Sequence, residues 1–335
     1  MSAPHIFRWD MDKTYLKTEF DTFKDLLRTA FQKPADKTNV PGSAELLQSL
    51  RSDAGGNAEI YFISGSPSQM RGILSKKLSL DGIDFDGFIL KDNLRNLLRF
   101  RFRALKEQIG YKLPALLKTR EKAHIASKET LFGDDAERDA FVYSLYADLV
   151  AERVSPAALD AVMQIAGVYA DGRDDIYDAL DKLEPADPVE RIIIHLDRRS
   201  PPVRFEAYGR RVVPVYNYFQ AALVLFADGR VRAQTVMRIG EALILSHQFT
   251  RDVLVRSFQD ILRRGALPRA AAESLISQAQ MVTRNPNVVD AFASAFESTR
   301  VRRIDTEPNF VPDYPMLLRR ELDRHRIEKA RRRGR

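Results

Sequence analysis

His5-Ile6-Phe7-Arg8-Trp9-Asp10-Met11-Asp12-Lys13-Thr14 is the stretch on which the fold turns. His5 to Trp9 is short and largely apolar or aromatic, as a buried strand is. It runs directly into two carboxylates two residues apart. On a loop leaving a strand, residues at that spacing can both face one crevice.

Working outward, the same strand-then-polar-loop pattern recurs. Glu59 to Ile63 (EIYFI) reads as a strand ending at Ser64-Gly65-Ser66-Pro67. Ser66 as N-cap and Pro67 at the first helical position then open a helix carrying Met70, Ile73, Leu74 and Leu78. Phe85 to Leu90 is a further strand, followed by a basic helix from about Asn93 to Gln108 that Gly110 closes. Lys112 stands just before a helix with Pro114 in its first turn. Glu129 to Phe132 is a strand that empties into Gly133-Asp134-Asp135-Ala136-Glu137-Arg138-Asp139, and Phe141 to Val150 line the next helix. Ile192 to Leu196 (IIIHL) is another central strand, and Val212 to Tyr218 leads to a helix from Phe219 to Phe226. Between the first two strands, Phe20 to Phe31 recur at helical spacing, and Ser43 caps a helix bearing Leu46, Leu47 and Leu50.

Alternating strands and amphipathic helices predict an α/β fold, a Rossmann-like parallel sheet with helices on both faces. Residues 230–300 show helical spacing without strands and predict three or four helices. The chain divides into a core at 1–228, a helical subdomain at 229–306, and a linker with a basic tail at 307–335.

Composition bounds the function. The 335 residues are 44% hydrophobic and 30% charged, a globular balance. With no cysteine, thiolate nucleophiles, disulfides and cysteine zinc sites are excluded. The five histidines lack metal-ligand spacing, and His195 in its apolar run reads as a hydrogen-bonded core residue. Trp9 and the set Tyr208, Tyr216, Tyr218 and Phe219 read as packing. No dinucleotide-binding or Walker-type glycine loop occurs. No signal core and no apolar run of about 18 residues is present, so a soluble, cytoplasmic protein is expected. Residues 319–335 hold nine Lys or Arg against three Asp or Glu, a surplus of six out of the chain's net +7. That tail either contacts an anionic membrane or nucleic acid, or is a solvated terminus. Arg99 to Arg103 (RFRFR) is either a basic binding surface or a helix with one buried face.

Four features carry chemistry: the acidic loop after the first strand, Ser64, Lys112, and the acidic loop after Phe132. Three of them fall at carboxyl ends of strands, where open parallel sheets bind ligands. Phosphoryl transfer suits these residue types. A carboxylate nucleophile splits the displacement into two steps, and a second carboxylate moves the proton. Magnesium, held by one or two carboxylates, offsets charge repulsion, while a lysine and a serine hydroxyl neutralise phosphate oxygens. Lys118 and Lys91 are alternatives to Lys112. Asp135 and Asp139 have a second role open to them as caps of the following helix.

In that order, DMDKT, Ser64, Lys112 and GDDAERD resemble the haloacid dehalogenase superfamily of phosphatases. IYFISGSPSQM with LFGDDAERDAFVYSLYADL is similar to the phosphatidate phosphatase domain of actin-patch proteins. The likeness covers about residues 5–150. It implies a haloacid dehalogenase-like core with Asp10 as nucleophile and Asp12 as general acid then base, its carbonyl a magnesium ligand. Thr14 braces the loop, Ser64 binds the phosphoryl group, and Lys112 neutralises phosphorylated Asp10. Asp134 is the third protein ligand of Mg2+, and Asp135 and Asp139 ligate through water or orient Lys112. Lys13 departs from the acidic residue usual there. The gaps 15–63 and 65–111, of 49 and 47 residues, leave little room for a cap, with Phe20–Phe31 the one candidate lid. An open site implies a bulky phosphorylated substrate, phosphatidate first. A phosphoprotein, a nucleic-acid end, or a non-catalytic phosphate-binding role are the alternatives.

Overall fold

The computed structural model describes residues 2–17, 38–91, 105–282, 286–302 and 310–333. The expected lid at Phe20–Phe31, RFRFR at 99–103 and most of the linker lie outside the described residues.

Six strands form one parallel sheet: β1 (His5–Asp10), β2 (Ala58–Pro67), β3 (Gly87–Lys91), β4 (Glu129–Asp134), β5 (Val189–His195) and β6 (Val212–Val215). Their order is β3-β2-β1-β4-β5-β6. The chain therefore reverses its direction of travel at β1, and the carboxyl ends of β1, β2 and β4 flank that switch point, where such sheets open a crevice. β1 (HIFRWD) and β4 (ETLFGD) are buried along their whole length, so the polar residues they carry, Arg8 and Glu129 among them, must find partners inside the protein.

Alternate side chains divide between two layers. Phe7, Trp9, Phe62, Phe132 and Ile193 face α1 (Ser43–Asp53), α2 (Arg71–Leu80) and α7 (Tyr218–Ala227). Leu131, Ile192 and Ile194 face α3 (Leu105–Glu121), α4 (Asp139–Val150), α5 (Pro156–Ala166) and α6 (Ala170–Leu180). The expected helical region is four helices: α8 (Ala233–His247), α9 (Arg251–Arg263), α10 (Arg269–Val282) and α11 (Pro286–Ser298). Its core is continuous with the sheet's, running from Trp9 through Phe219 to stacked Phe258 and Phe292.

Several local expectations change. Gly110 does not close a helix, and Lys112 is not at a helix start; α3 runs through both and through Pro114. Gly110 instead lets α6 approach, since a Cβ on Gly172 would lie 3.8 Å from the Gly110 Cα. Ser66 is not an N-cap: β2 continues to Pro67 with a register shift after Ser64, and a short 3-10 turn (Ser68–Met70) precedes α2. Ser43 lies inside α1, whose N-cap is Gly42. The third strand starts at Gly87 rather than Phe85. Helices α5 and α6 occupy a stretch that gave no element from sequence. Tyr216 is 43% exposed rather than core. Finally, α12 (Tyr314–Arg333) begins within the expected linker. Tyr314 and Leu318 are buried against the α4–α5 layer, and the Tyr314 hydroxyl donates to Asp148.

One polar group is buried in the α3–α4 layer. Arg8 donates to Glu129 through two nitrogens, at 2.8 and 3.0 Å, and Arg120 and Tyr146 complete the cluster. Burial opposes the charge on Glu129, but Arg8 and Arg120 outweigh it and hold its carboxyl below the usual range. A group with a lowered pKa stabilises the fold above its unfolded pKa, so this contribution fades as the solution is acidified. Glu129→Gln leaves two buried guanidinium groups short of a counter-charge and is expected to cost about 3–5 kcal/mol. Denaturant unfolding at neutral pH measures it; a loss under about 1 kcal/mol contradicts the assignment.

Candidate active site

The crevice at the switch point gathers side chains from β1, β2, α3, β4 and α4. β1 delivers Asp10 at its last residue, fully buried. The chain then turns tightly, with Tyr15 and Leu16 amides both donating to the Met11 carbonyl. The turn puts Lys13 at φ 59°, a left-handed conformation costly for a side chain with a Cβ. It also returns the Thr14 hydroxyl to Asp10 Oδ2 at 3.4 Å. Asp12, partly buried, accepts from Ser64 Oγ at 3.2 Å and from Ser66 Oγ at 3.3 Å. The irregular end of β2 places both hydroxyls on one side.

Lys112 enters from the middle of α3. Its Nζ lies 2.8 Å from Asp10 Oδ1, 2.6 Å from Asp139 Oδ1 and 3.1 Å from Glu137 Oε2. The neighbouring Tyr111 hydroxyl donates to the Ser64 carbonyl, tying α3 across the β1–β2 opening. Of the alternative lysines, Lys118 pairs with Asp175 on the exposed surface, and the Lys91 side chain is outside the described residues.

Asp134 ends β4. Its Oδ1 accepts from the amides of Ala136 and Glu137, while its Oδ2 is buried with no hydrogen-bond partner among the described residues. Asp139 Oδ2 accepts from the Asp134 amide at 3.1 Å. Gly133 is required there, because a Cβ would come within 2.4 Å of the Asp139 Cβ. Asp135 points elsewhere: its two oxygens accept from the Arg198 and Ser200 amides, bracing the loop after β5.

Five carboxylates thus surround one ammonium. Burial pushes Asp10 and Asp134 well above the carboxylate range, repulsion from Asp139 and Glu137 adds to this, and Lys112 opposes it. Burial also raises Asp139, again against Lys112. Burial disfavours the charge on Lys112, yet Asp10, Asp139 and Glu137 outweigh it and raise its pKa well above the ordinary value. Burial and Glu137 push Asp12 up to about 6, against the two serine hydroxyls and Lys112.

The residues fit a divalent cation. Asp10, Asp134 and Asp139 each offer an oxygen, all within 4.8 Å of one another, in a buried set of excess negative charge. The unpartnered Asp134 Oδ2 is the kind of buried atom that native structures rarely leave unsatisfied.

Residues beyond the sequence reading take part. Ser66 was legible only as a helix cap, because the register shift after Ser64 is what brings its hydroxyl to Asp12. Glu137 lay inside the quoted acidic loop. His195 and Tyr218, whose polar atoms reach the carbonyls of Lys13 and Thr14, carried no local signal.

Residues 9–159 match the family model described as phosphatidate phosphatase APP1, catalytic domain. No curated protein and no solved structure matches the chain.

A carboxylate with a raised folded pKa stabilises the fold below its unfolded pKa and loses that contribution as pH rises. The metal-free protein at pH 7 therefore carries an electrostatic cost at Asp134. Asp134→Asn is expected to melt at or above the wild-type temperature without metal, and an upward shift with millimolar Mg2+ is expected for wild type but not for the variant. Thermal unfolding with Mg2+ and with EDTA checks both parts; an equal Mg2+ shift in the variant removes Asp134 from the metal site.

Proposed function

We propose, from the match of residues 9–159 to the phosphatidate phosphatase catalytic-domain model and from the site's geometry, that this protein hydrolyses a phosphomonoester through a covalent phosphate on Asp10. The observation that carries this is Lys112 Nζ, 2.8 Å from buried Asp10, beside an Asp134 oxygen left without a partner. Asp10 Oδ2 would attack phosphorus as the ester P–O bond breaks, and the leaving oxygen would take the proton from Asp12. Asp12 as carboxylate would then take a proton from water attacking the same phosphorus, releasing phosphate and restoring Asp10. A pKa near 6 suits a group that is acid in one step and base in the next. Ser64 and Ser66 hold Asp12 in reach, and Thr14 steadies Asp10.

Asp10 and Asp134, with the Asp12 carbonyl, would hold Mg2+, which neutralises phosphate charge when bound. Asp139, which accepts from Lys112 and from the Asp134 amide, would orient Lys112 and offers an oxygen to the same ion. Asp135 serves through the 198–200 loop.

Phosphatidate is the substrate the family description favours. The outer surface of α12 adds support: Arg319, Arg320, Arg324 and Arg326 are exposed, a basic face suited to an anionic lipid surface. No helix among the described residues is long and apolar enough to cross a membrane.

Asp10→Asn is expected to lower Mg2+-dependent turnover of an aryl phosphate by about 10³-fold or more; equal rates refute the mechanism. Phosphatidate vesicles should be hydrolysed in preference to a phosphopeptide or a 3′-phosphorylated oligonucleotide, and the reverse order reassigns the substrate. Deleting 324–335, which spares the docked start of α12, should weaken binding to phosphatidylserine-containing vesicles at low salt and matter less at high salt. Equal vesicle binding by the truncated protein removes the tail from membrane contact.

A further inference from the structure

The matched family segment stops at residue 159, yet the turn that presents Asp12 is held from beyond it. The Tyr218 hydroxyl, on the first residue of α7, donates to the Thr14 carbonyl at 2.5 Å. His195 Nδ1, on the last residue of β5, lies 2.9 Å from the Lys13 carbonyl. A carbonyl only accepts, so Nδ1 carries the hydrogen. The two rings stack on each other at 5.7 Å. Tyr218 stacks in turn on Trp9, and Trp9 on Phe132 at 3.9 Å, so four aromatic rings line the floor beneath the turn. Lys13 also gives its amide to the Leu16 carbonyl, and its ammonium lies 3.8 Å from Asp197.

This turn needs such support. Lys13 sits in left-handed backbone space, where a non-glycine residue persists only if its surroundings fix it. The Lys13 and Thr14 carbonyls follow directly on the Asp12 peptide. Their orientation sets where the Asp12 carbonyl and carboxyl point relative to Asp10.

We infer that His195 and Tyr218 are positioning residues of the reaction, clamping the Lys13 and Thr14 carbonyls so that Asp12 is held in register with Asp10. This rests on the roles proposed for Asp10 and Asp12. It makes β5 and α7 parts of the active site and not merely of the sheet's packing. Both residues act through the turn; neither touches the reacting atoms.

The test compares Tyr218→Phe, His195→Ala and His195→Asn in the full chain. Phe keeps the stack and loses the donor; the Asn amide can donate from about the Nδ1 position. Amide hydrogen exchange of the peptide spanning 9–17 is expected to quicken about ten-fold in Tyr218→Phe and His195→Ala, the loss of one hydrogen bond. Turnover of an aryl phosphate at saturating Mg2+ should fall about ten-fold in kcat with KM within about two-fold. His195→Asn should recover both. Unchanged exchange in both variants overturns the clamp, whatever the activity. Faster exchange throughout the chain, or a kcat loss that His195→Asn leaves in place, marks these as residues of the fold alone and overturns it too. A wild type without turnover would sink the Asp10 chemistry, while locally faster exchange in the variants would still establish the clamp.

Discussion

Lys112 sits buried among Asp10, Asp139 and Glu137, and that contact sets the terms for the site around it. A buried ammonium needs counter-charge, and a buried carboxylate needs a cation. Here the two needs are unequal: five carboxylates lie around a single ammonium. The surplus of carboxylates makes the pocket costly as it stands and able to hold a metal ion. Stability is given up locally for binding, a common trade at functional sites. The remainder of the fold has to hold that arrangement against its own repulsion. The rigid parts are accordingly close at hand: two strands buried on both faces, and α3 pinned across them by Tyr111.

Topology explains why the charges meet. With the order β3-β2-β1-β4-β5-β6, the ends of β2, β1 and β4 are adjacent although their residues are far apart in sequence. The next strand along, β5, lies beside β4, so its end is within reach of both acidic loops. Asp135 uses that proximity by gripping the 198–200 loop, and His195 uses it by reaching Lys13. On the opposite face α7 begins beneath the same turn, so that Tyr218 reaches Thr14. A site assembled from the first half of the chain is thus finished by the second.

The sheet and the main acidic residues were legible because both write themselves locally. Short strands rich in aromatic and branched residues stand out between helical stretches, and a carboxylate pair directly after one is conspicuous. What was not legible depended on distance. Gly110 reads as a helix terminator until α6 is packed against it, since glycine breaks a helix and admits a neighbour by the same lack of a side chain. Ser66 before Pro67 has the form of a helix cap, but the register shift in β2 turns its hydroxyl to Asp12 instead. Asp135, next to Asp134 in sequence, faces away because the chain turns as β4 ends, and its carboxylate meets the Arg198 and Ser200 amides of the loop after β5. His195 and Tyr218 look like core aromatics, as in part they are; only the fold shows that their polar atoms end on the turn after β1.

The tail shows the same dependence. A run of arginines after prolines reads as a solvated appendage, yet α12 starts with Tyr314 and Leu318 set into the α4–α5 layer. One turn further, Glu321 accepts from the Tyr208 hydroxyl and lies 4.0 Å from Arg138. Arg138 is the N-cap of α4, held at φ 64°, and its next residue is the Asp139 that positions Lys112. The exposed arginines of α12 and the acidic loop of the site are therefore fixed to the same few atoms. A freely jointed tail would raise local concentration at an anionic surface but leave the crevice to point anywhere. A docked helix, unlike a freely jointed tail, carries its exposed arginines in a fixed relation to the crevice that holds Asp10.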